Sequence, residues 1–79
     1  MSRSEIFEKL NEIFRDVFDD ESINVNEAST ADDIEDWDSL THITLISTIE
    51  DEFNIRFDMK TVLQAKNLGE LADAIEEKI

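Results

Sequence analysis

His42, the one histidine of the chain, follows Ser39 by three residues and Asp38 by four, so an acid, a hydroxyl and an imidazole fall within about one helical turn. Those are the residue types of nucleophilic catalysis, in which His takes the hydroxyl proton and the acid orients the His. The spacing does not serve it. The His must bridge the other two groups and an oxyanion hole must receive developing charge, yet all three share one turn with no Gly-rich loop nearby. At ~100° per residue His42 turns toward the apolar arc of its helix, as a partly buried, hydrogen-bonded histidine would. A second cluster, Asp32, Asp33, Glu35, Asp36 and Asp38, is acidic. A calcium loop needs oxygen ligands at fixed offsets and a central Gly, but Ile34 and Leu40 fall on ligand positions and the Gly is missing. Diffuse attraction of divalent cations is expected there, a dedicated metal site is not. The other carboxylates are spread over solvated faces, so no acid–base pair is expected and the chain is not read as an enzyme.

One segment remains. In Asp36-Trp37-Asp38-Ser39-Leu40, Ser39 stands at a helix start, where unpaired N–H groups and the positive end of the helix dipole favour a phosphate. Read alone, the same string is also a plain helix cap supplied by Asp38 or Ser39.

The elements that would hold this segment are helices. Ile6, Phe7, Leu10, Ile13, Phe14, Val17 and Phe18 recur at three- and four-residue spacing and predict a first amphipathic helix, with Ser2 and Glu5 as a capping box. From Asp19 to Asp38 the periodicity stops, and a long acidic loop is expected, with Ile23, Val25 and Ile34 scattered in it. The second helix is predicted from Ser39 to Phe53. Its core arc is Leu45, Ile46, Ile49 and Phe53, with Ile43 at the edge and Leu40, Thr41, Thr44, Ser47, Thr48 and Asp51 facing away. Asn54-Ile55-Arg56-Phe57 alternates as an extended link, and Asp58 could cap a short helix holding Met59, Val62 and Leu63. Asn67 and Glu70 then open a last helix marked by Leu68, Leu71, Ala72, Ile75 and Ile79. The expected architecture is all-α: one domain over residues 1–79, a small bundle of three main helices and one short one, with a long loop between the first two.

Composition closes off other functions. The 79 residues carry 21 Asp+Glu against 7 Lys+Arg, a formal net charge of −14. Such a chain cannot neutralise phosphates, so nucleic-acid binding is excluded, and an anionic membrane surface would repel it. No apolar run approaches the ~20 residues that span a bilayer, and Met1-Ser2-Arg3-Ser4 leads into the first helix without the apolar core of a signal peptide. A cytoplasmic protein that meets partners with basic surfaces is the expectation. With no Cys, neither a disulfide nor a thiolate metal site can staple the fold.

Along essentially its full length the sequence resembles the acyl carrier protein family. The resemblance rests on Asp38-Ser39-Leu40 opening the second helix, on Leu45, Ile49 and Phe53, on Glu50-Asp51-Glu52-Phe53-Asn54-Ile55, and on the order of helices around the acidic loop. It implies that Ser39 carries 4'-phosphopantetheine through a phosphodiester made by a separate phosphopantetheinyl transferase. The terminal thiol of that arm would hold an acyl or aminoacyl group as a thioester, in keeping with the lack of Cys. By the same resemblance Asp38 orients the helix start and the transferase contact. Leu40 and Ile43, with the acidic Glu50 and Asp51, meet the loading enzyme and downstream acyl-using enzymes.

The pattern also departs from many fatty-acid carriers, which are acidic at the positions of Thr41 and Thr44, have Met at Ser47, a small residue at Trp37 and Gly at Asp36. These departures imply a carrier dedicated to a pathway other than general fatty-acid synthesis; a starting Met and the lack of linker sequence predict a stand-alone carrier, expected to be a monomer. The alternative from another class is an acidic helical adaptor that binds a basic protein without a prosthetic group.

Overall fold

The Ser2 hydroxyl accepts the Glu5 N–H at 3.2 Å while the Glu5 carboxylate accepts the Ser2 N–H, the reciprocal pair expected at the start of the first helix. That helix, α1, runs Arg3–Val17 in the computed structural model, which describes residues 2–34, 36–58, 60 and 65–79. A 3-10 turn covers Ala31–Asp33, α2 runs Ser39–Phe53 and α3 runs Leu68–Lys78. The protein is all-α, with no strand among the described residues. The short helix expected after Asp58, with Met59, Val62 and Leu63, lies outside the described residues.

α1 packs against both α2 and α3. Its inward stripe supplies Ile6, Leu10, Ile13 and Phe14, α2 supplies Leu45, Ile46, Ile49 and Phe53, and α3 supplies Leu68, Leu71, Ala72 and Ile75. Phe7, Val17 and Phe18 flank this core half-buried. Each fully buried Leu, Ile or Phe contributes about 1.5–3 kcal/mol, so this shared core outweighs any single surface pair. Ile79, expected to continue the α3 stripe, is exposed, because α3 ends at Lys78 and the last residue passes beyond the packed face.

The loop is not slack. Asn11 of α1 accepts the Val25 N–H at 2.7 Å and donates to the Phe7 carbonyl at 2.9 Å, and Arg15 donates through Nε to the Ile23 carbonyl at 2.7 Å. These bonds hold Val25 in the core and Ile23 against it, and Ile34 packs on the same core, so residues that look scattered in sequence form the loop's apolar underside. Farther on, the loop closes over α3, where the Leu68 and Gly69 N–H groups donate to the Ser29 and Glu27 carbonyls, both at 2.9 Å. A Cβ on Gly69 would meet the Glu27 carbonyl oxygen at 3.0 Å, so this approach requires a residue without one. Arg3 completes the junction by reaching Glu27, Asp73, Glu76 and the Gly69 carbonyl. Above all the Asp73 hydrogen bond holds its guanidinium in the charged form.

α2 ends on Asn54, whose φ of 56° is left-handed, a conformation Asn tolerates at a helix C-terminus. The Ile55 N–H donates to the Glu50 carbonyl at 3.0 Å, and Ile55 is buried and Phe57 half-buried beneath exposed Asn54 and Arg56. The alternating link therefore covers the core as the pattern predicts.

Candidate functional site

The loop delivers its last residues to α2 in a tight turn in which the Trp37 N–H donates to the Ile34 carbonyl at 3.1 Å. Asp38 follows in extended backbone as the N-cap of α2. Its Oδ1 accepts the N–H groups of Leu40 at 2.9 Å and Thr41 at 3.0 Å, and its carbonyl accepts the His42 N–H at 2.9 Å. Thr41 answers from three residues on, its hydroxyl oxygen accepting the Asp38 N–H at 2.8 Å and lying 3.0 Å from the Asp36 carbonyl. Hydrogen bonding to the charged form, foremost from the Thr41 N–H, holds the Asp38 carboxyl below its ordinary range.

Of the two readings of this helix start, unpaired N–H groups for a phosphate and a plain cap, the structure shows the cap: Asp38 occupies the N–H groups of Leu40 and Thr41. What the site presents is a hydroxyl. Ser39 is the first residue of α2, it is exposed, and its side chain has no hydrogen bond among the described residues. Ser39 thus pairs a free hydroxyl with a backbone fixed from both sides.

Beside it, Leu40 is 78% exposed and Ile43 is 68% exposed. Ile43 does not sit at the edge of the core as its position suggested. It lies roughly a right angle from the centre of the buried arc at ~100° per residue, and it joins Leu40 one turn away. Thr44, Ser47 and Asp51 are exposed as expected, whereas Thr41 is committed to the cap and Thr48 donates to the Thr44 carbonyl at 2.9 Å. Glu50 is half-buried and its carboxylate accepts the Phe57 N–H at 2.8 Å, so it braces the link after α2 while Asp51 remains open to solvent.

His42 is half-buried and satisfied. Its Nδ1 accepts the Trp37 indole N–H at 3.1 Å, and the two rings stack with centroids 6.0 Å apart. No hydrogen bond joins the imidazole to the Ser39 or Asp38 side chains among the described residues, so the trio does not form a catalytic relay. Sequence reasoning missed the second capping partner, Thr41, although a Thr three residues after an N-cap Asp is a signal that could have found it. It also missed the Asn11 and Arg15 bonds to the loop, which leave no periodic trace.

A short all-α domain with an exposed, rigidly framed serine at a helix start has the anatomy of a carrier rather than a catalyst. The phosphopantetheine attachment site family model matches residues 8–75, and the chain belongs to that family. It is 37% identical over 73 residues to the acyl carrier protein of Streptococcus pneumoniae serotype 4 (strain ATCC BAA-334 / TIGR4), covering 92% of this chain and 95% of that one. The acyl carrier protein of Streptococcus pneumoniae strain ATCC BAA-255 / R6 is similar to the same extent. Among solved structures, the solution NMR structure of holo acyl carrier protein from Geobacter metallireducens is similar, with a TM-score of 0.86 and 42% identity over 91% of this chain and 83% of that one. This protein is therefore a carrier that bears covalent 4'-phosphopantetheine and works with a phosphopantetheinyl transferase and acyl-handling enzymes. The adaptor alternative is not favoured. No helix among the described residues is long and apolar enough to cross a membrane.

Proposed function

We propose that Ser39 is the residue that carries the arm and that this chain, as one domain over residues 1–79, presents an acyl or aminoacyl group to enzymes outside general fatty-acid synthesis. One observation carries the assignment: Ser39 combines an exposed, unbonded hydroxyl with a helix-start backbone locked by Asp38 and Thr41. Nearby hydroxyls do not match it, since that of Thr41 is bound into the cap, that of Thr48 is bonded to its own helix, and Ser47 lies in mid-helix. When bound, 4'-phosphopantetheine supplies a terminal thiol that holds the acyl group as a thioester, a group this Cys-free chain does not itself provide. Asp38 keeps the first turn in register, so Ser39 Oγ stays in place for the transferase.

Leu40 and Ile43 would supply apolar contact to partners, with Asp51 adding charge at the far end of α2. Glu50, bonded to the link, would contribute its field more than a direct ion pair. Partners with basic surfaces fit a net charge of −14, and a monomeric, cytoplasmic carrier is in keeping with this reading. Because Thr41 is held in the cap, the uncharged first turns of α2 have a structural component as well as a recognition one. The test is intact mass after co-expression with a phosphopantetheinyl transferase. Wild type should gain one arm and Ser39→Ala none, with its melting temperature unchanged because Asp38 still caps α2. A normal mass gain in Ser39→Ala would overturn the assignment.

A further inference from the structure

Trp37 precedes the cap and His42 follows the first turn, so a bond between them spans Ser39 from both sides in sequence. The indole is not a surface ornament. It is half-buried and meets the fully buried Phe14 of α1 edge-on, with centroids 5.2 Å apart and planes 81° apart. It also donates the hydrogen bond to His42. An indole nitrogen can only donate, so Nδ1 of His42 must be the acceptor, and the neutral imidazole carries its proton on Nε2. Core, loop end and helix are thereby joined in one line: Phe14, Trp37, His42.

We infer that Trp37 and His42 are positioning residues for arm attachment, a clasp that ties the segment carrying Ser39 to the α1 core. This rests on Ser39 being the attachment residue. The cap alone fixes Ser39 relative to α2, because Asp38 and Thr41 bond only within that short stretch. The clasp fixes that first turn, with Ser39, Leu40 and Ile43 on it, relative to Phe14 of α1. Proximity effects are steep, and a displacement of about 1 Å can cost on the order of 100-fold in rate. A hydroxyl on a first turn no longer held against α1 would lose part of that in kcat, while docking, and hence KM, would be spared.

The experiment has a structural arm and a kinetic arm. Nitrogen NMR of the imidazole should find Nδ1 bare and coupled to the Trp37 N–H in wild type. In Trp37→Phe, which keeps a ring against Phe14 but lacks the donor, that tautomer preference should relax. Trp37 is the chain's one tryptophan, so its emission reports whether the indole leaves its seat in His42→Ala. Against a phosphopantetheinyl transferase, folded Trp37→Phe and His42→Ala should lose roughly tenfold in kcat with KM little changed. His42→Gln, which restores an acceptor oxygen, should recover most of the loss. Thermal melts establish that each variant is folded. Wild-type kcat in both Trp37→Phe and His42→Ala overturns the clasp alone, as does a wild-type imidazole protonated on Nδ1. A wild-type protein that takes no arm overturns the attachment reading and the positioning role with it.

Discussion

The first turns of α2 and α3 are built from the same parts and become opposites. Each opens on an Asx residue in extended backbone, Asp38 or Asn67, whose side-chain oxygen accepts N–H groups of the first turn. Over α3 the loop closes, its Glu27 and Ser29 carbonyls taking the Gly69 and Leu68 N–H groups while both residues are buried. At the start of α2 the same kind of cap leaves Ser39, Leu40 and Ile43 exposed. A helix N-terminus is thus no site in itself. What the rest of the chain lays over it decides whether it becomes a covered joint or an open surface.

Four perturbations probe that contrast. The largest effect is expected for Leu40→Ala: truncating an interface anchor commonly costs about 2 kcal/mol or more, roughly 30-fold in partner affinity. The melting temperature should hardly move, since the side chain is 78% exposed. Loading rates with the native ligase decide it, and normal loading would show that the exposed end of α2 is not where partners bind. At the covered end the effect should fall on stability instead. Gly69→Val places carbon against the Glu27 carbonyl, overpacking worth about 1–3 kcal/mol, and each kcal/mol lowers the melting temperature of so small a domain by about 4–8 °C. A wild-type melt would mean that the loop can give way at this joint.

Asp51→Asn should matter less than Leu40→Ala, since an exposed ion pair is worth only about 0.2–1 kcal/mol. If Asp51→Asn fails to load while Leu40→Ala loads normally, recognition by α2 is mainly electrostatic. The smallest effect separates the two caps by pH. The Asp38 carboxyl titrates below its ordinary 3.8 in the folded state, chiefly through the Thr41 N–H bond. Its contribution to stability is therefore complete above the unfolded value and is lost as pH falls through the lowered one. As pH falls through that lowered value the Leu40 and Thr41 amide resonances should shift, and in Asp38→Asn that titration should vanish. Asn67 at α3 has no proton to gain. Unmoved Leu40 and Thr41 amides down to full protonation of Asp38 would remove it from the cap.

The three main helices were legible because each announces itself locally. The α1 stripe, the Ser2 and Glu5 pair, and Asn67 ahead of Leu68 all act within a few residues, and the structure places each as the pattern predicts. Asp38-Ser39-Leu40 was legible as a helix start for the same reason. Its chemistry was only half legible: the string does not show that Asp38 takes the Leu40 and Thr41 N–H groups and leaves the Ser39 hydroxyl as the group on offer. Nor does an acidic, aperiodic loop disclose that Asn11 and Arg15 pin it to α1. Those bonds join residues 14 and 8 positions apart, beyond the reach of capping or helical periodicity, and one polar residue on a helix looks much like another.

The sequence by itself determined the helical segments, their inward faces, the acidic charge and the serine at a helix start, because periodicity, capping and composition act over one or two turns. Only the tertiary structure decided which helix start is covered and which is open, that Ile43 joins Leu40 at the surface, and that Trp37 reaches from Phe14 to His42. Those outcomes depend on which surfaces meet when helices and a loop share one core. That choice is made by burial across the whole domain, where each fully buried apolar side chain weighs about 1.5–3 kcal/mol against the fraction of a kcal/mol in most local preferences.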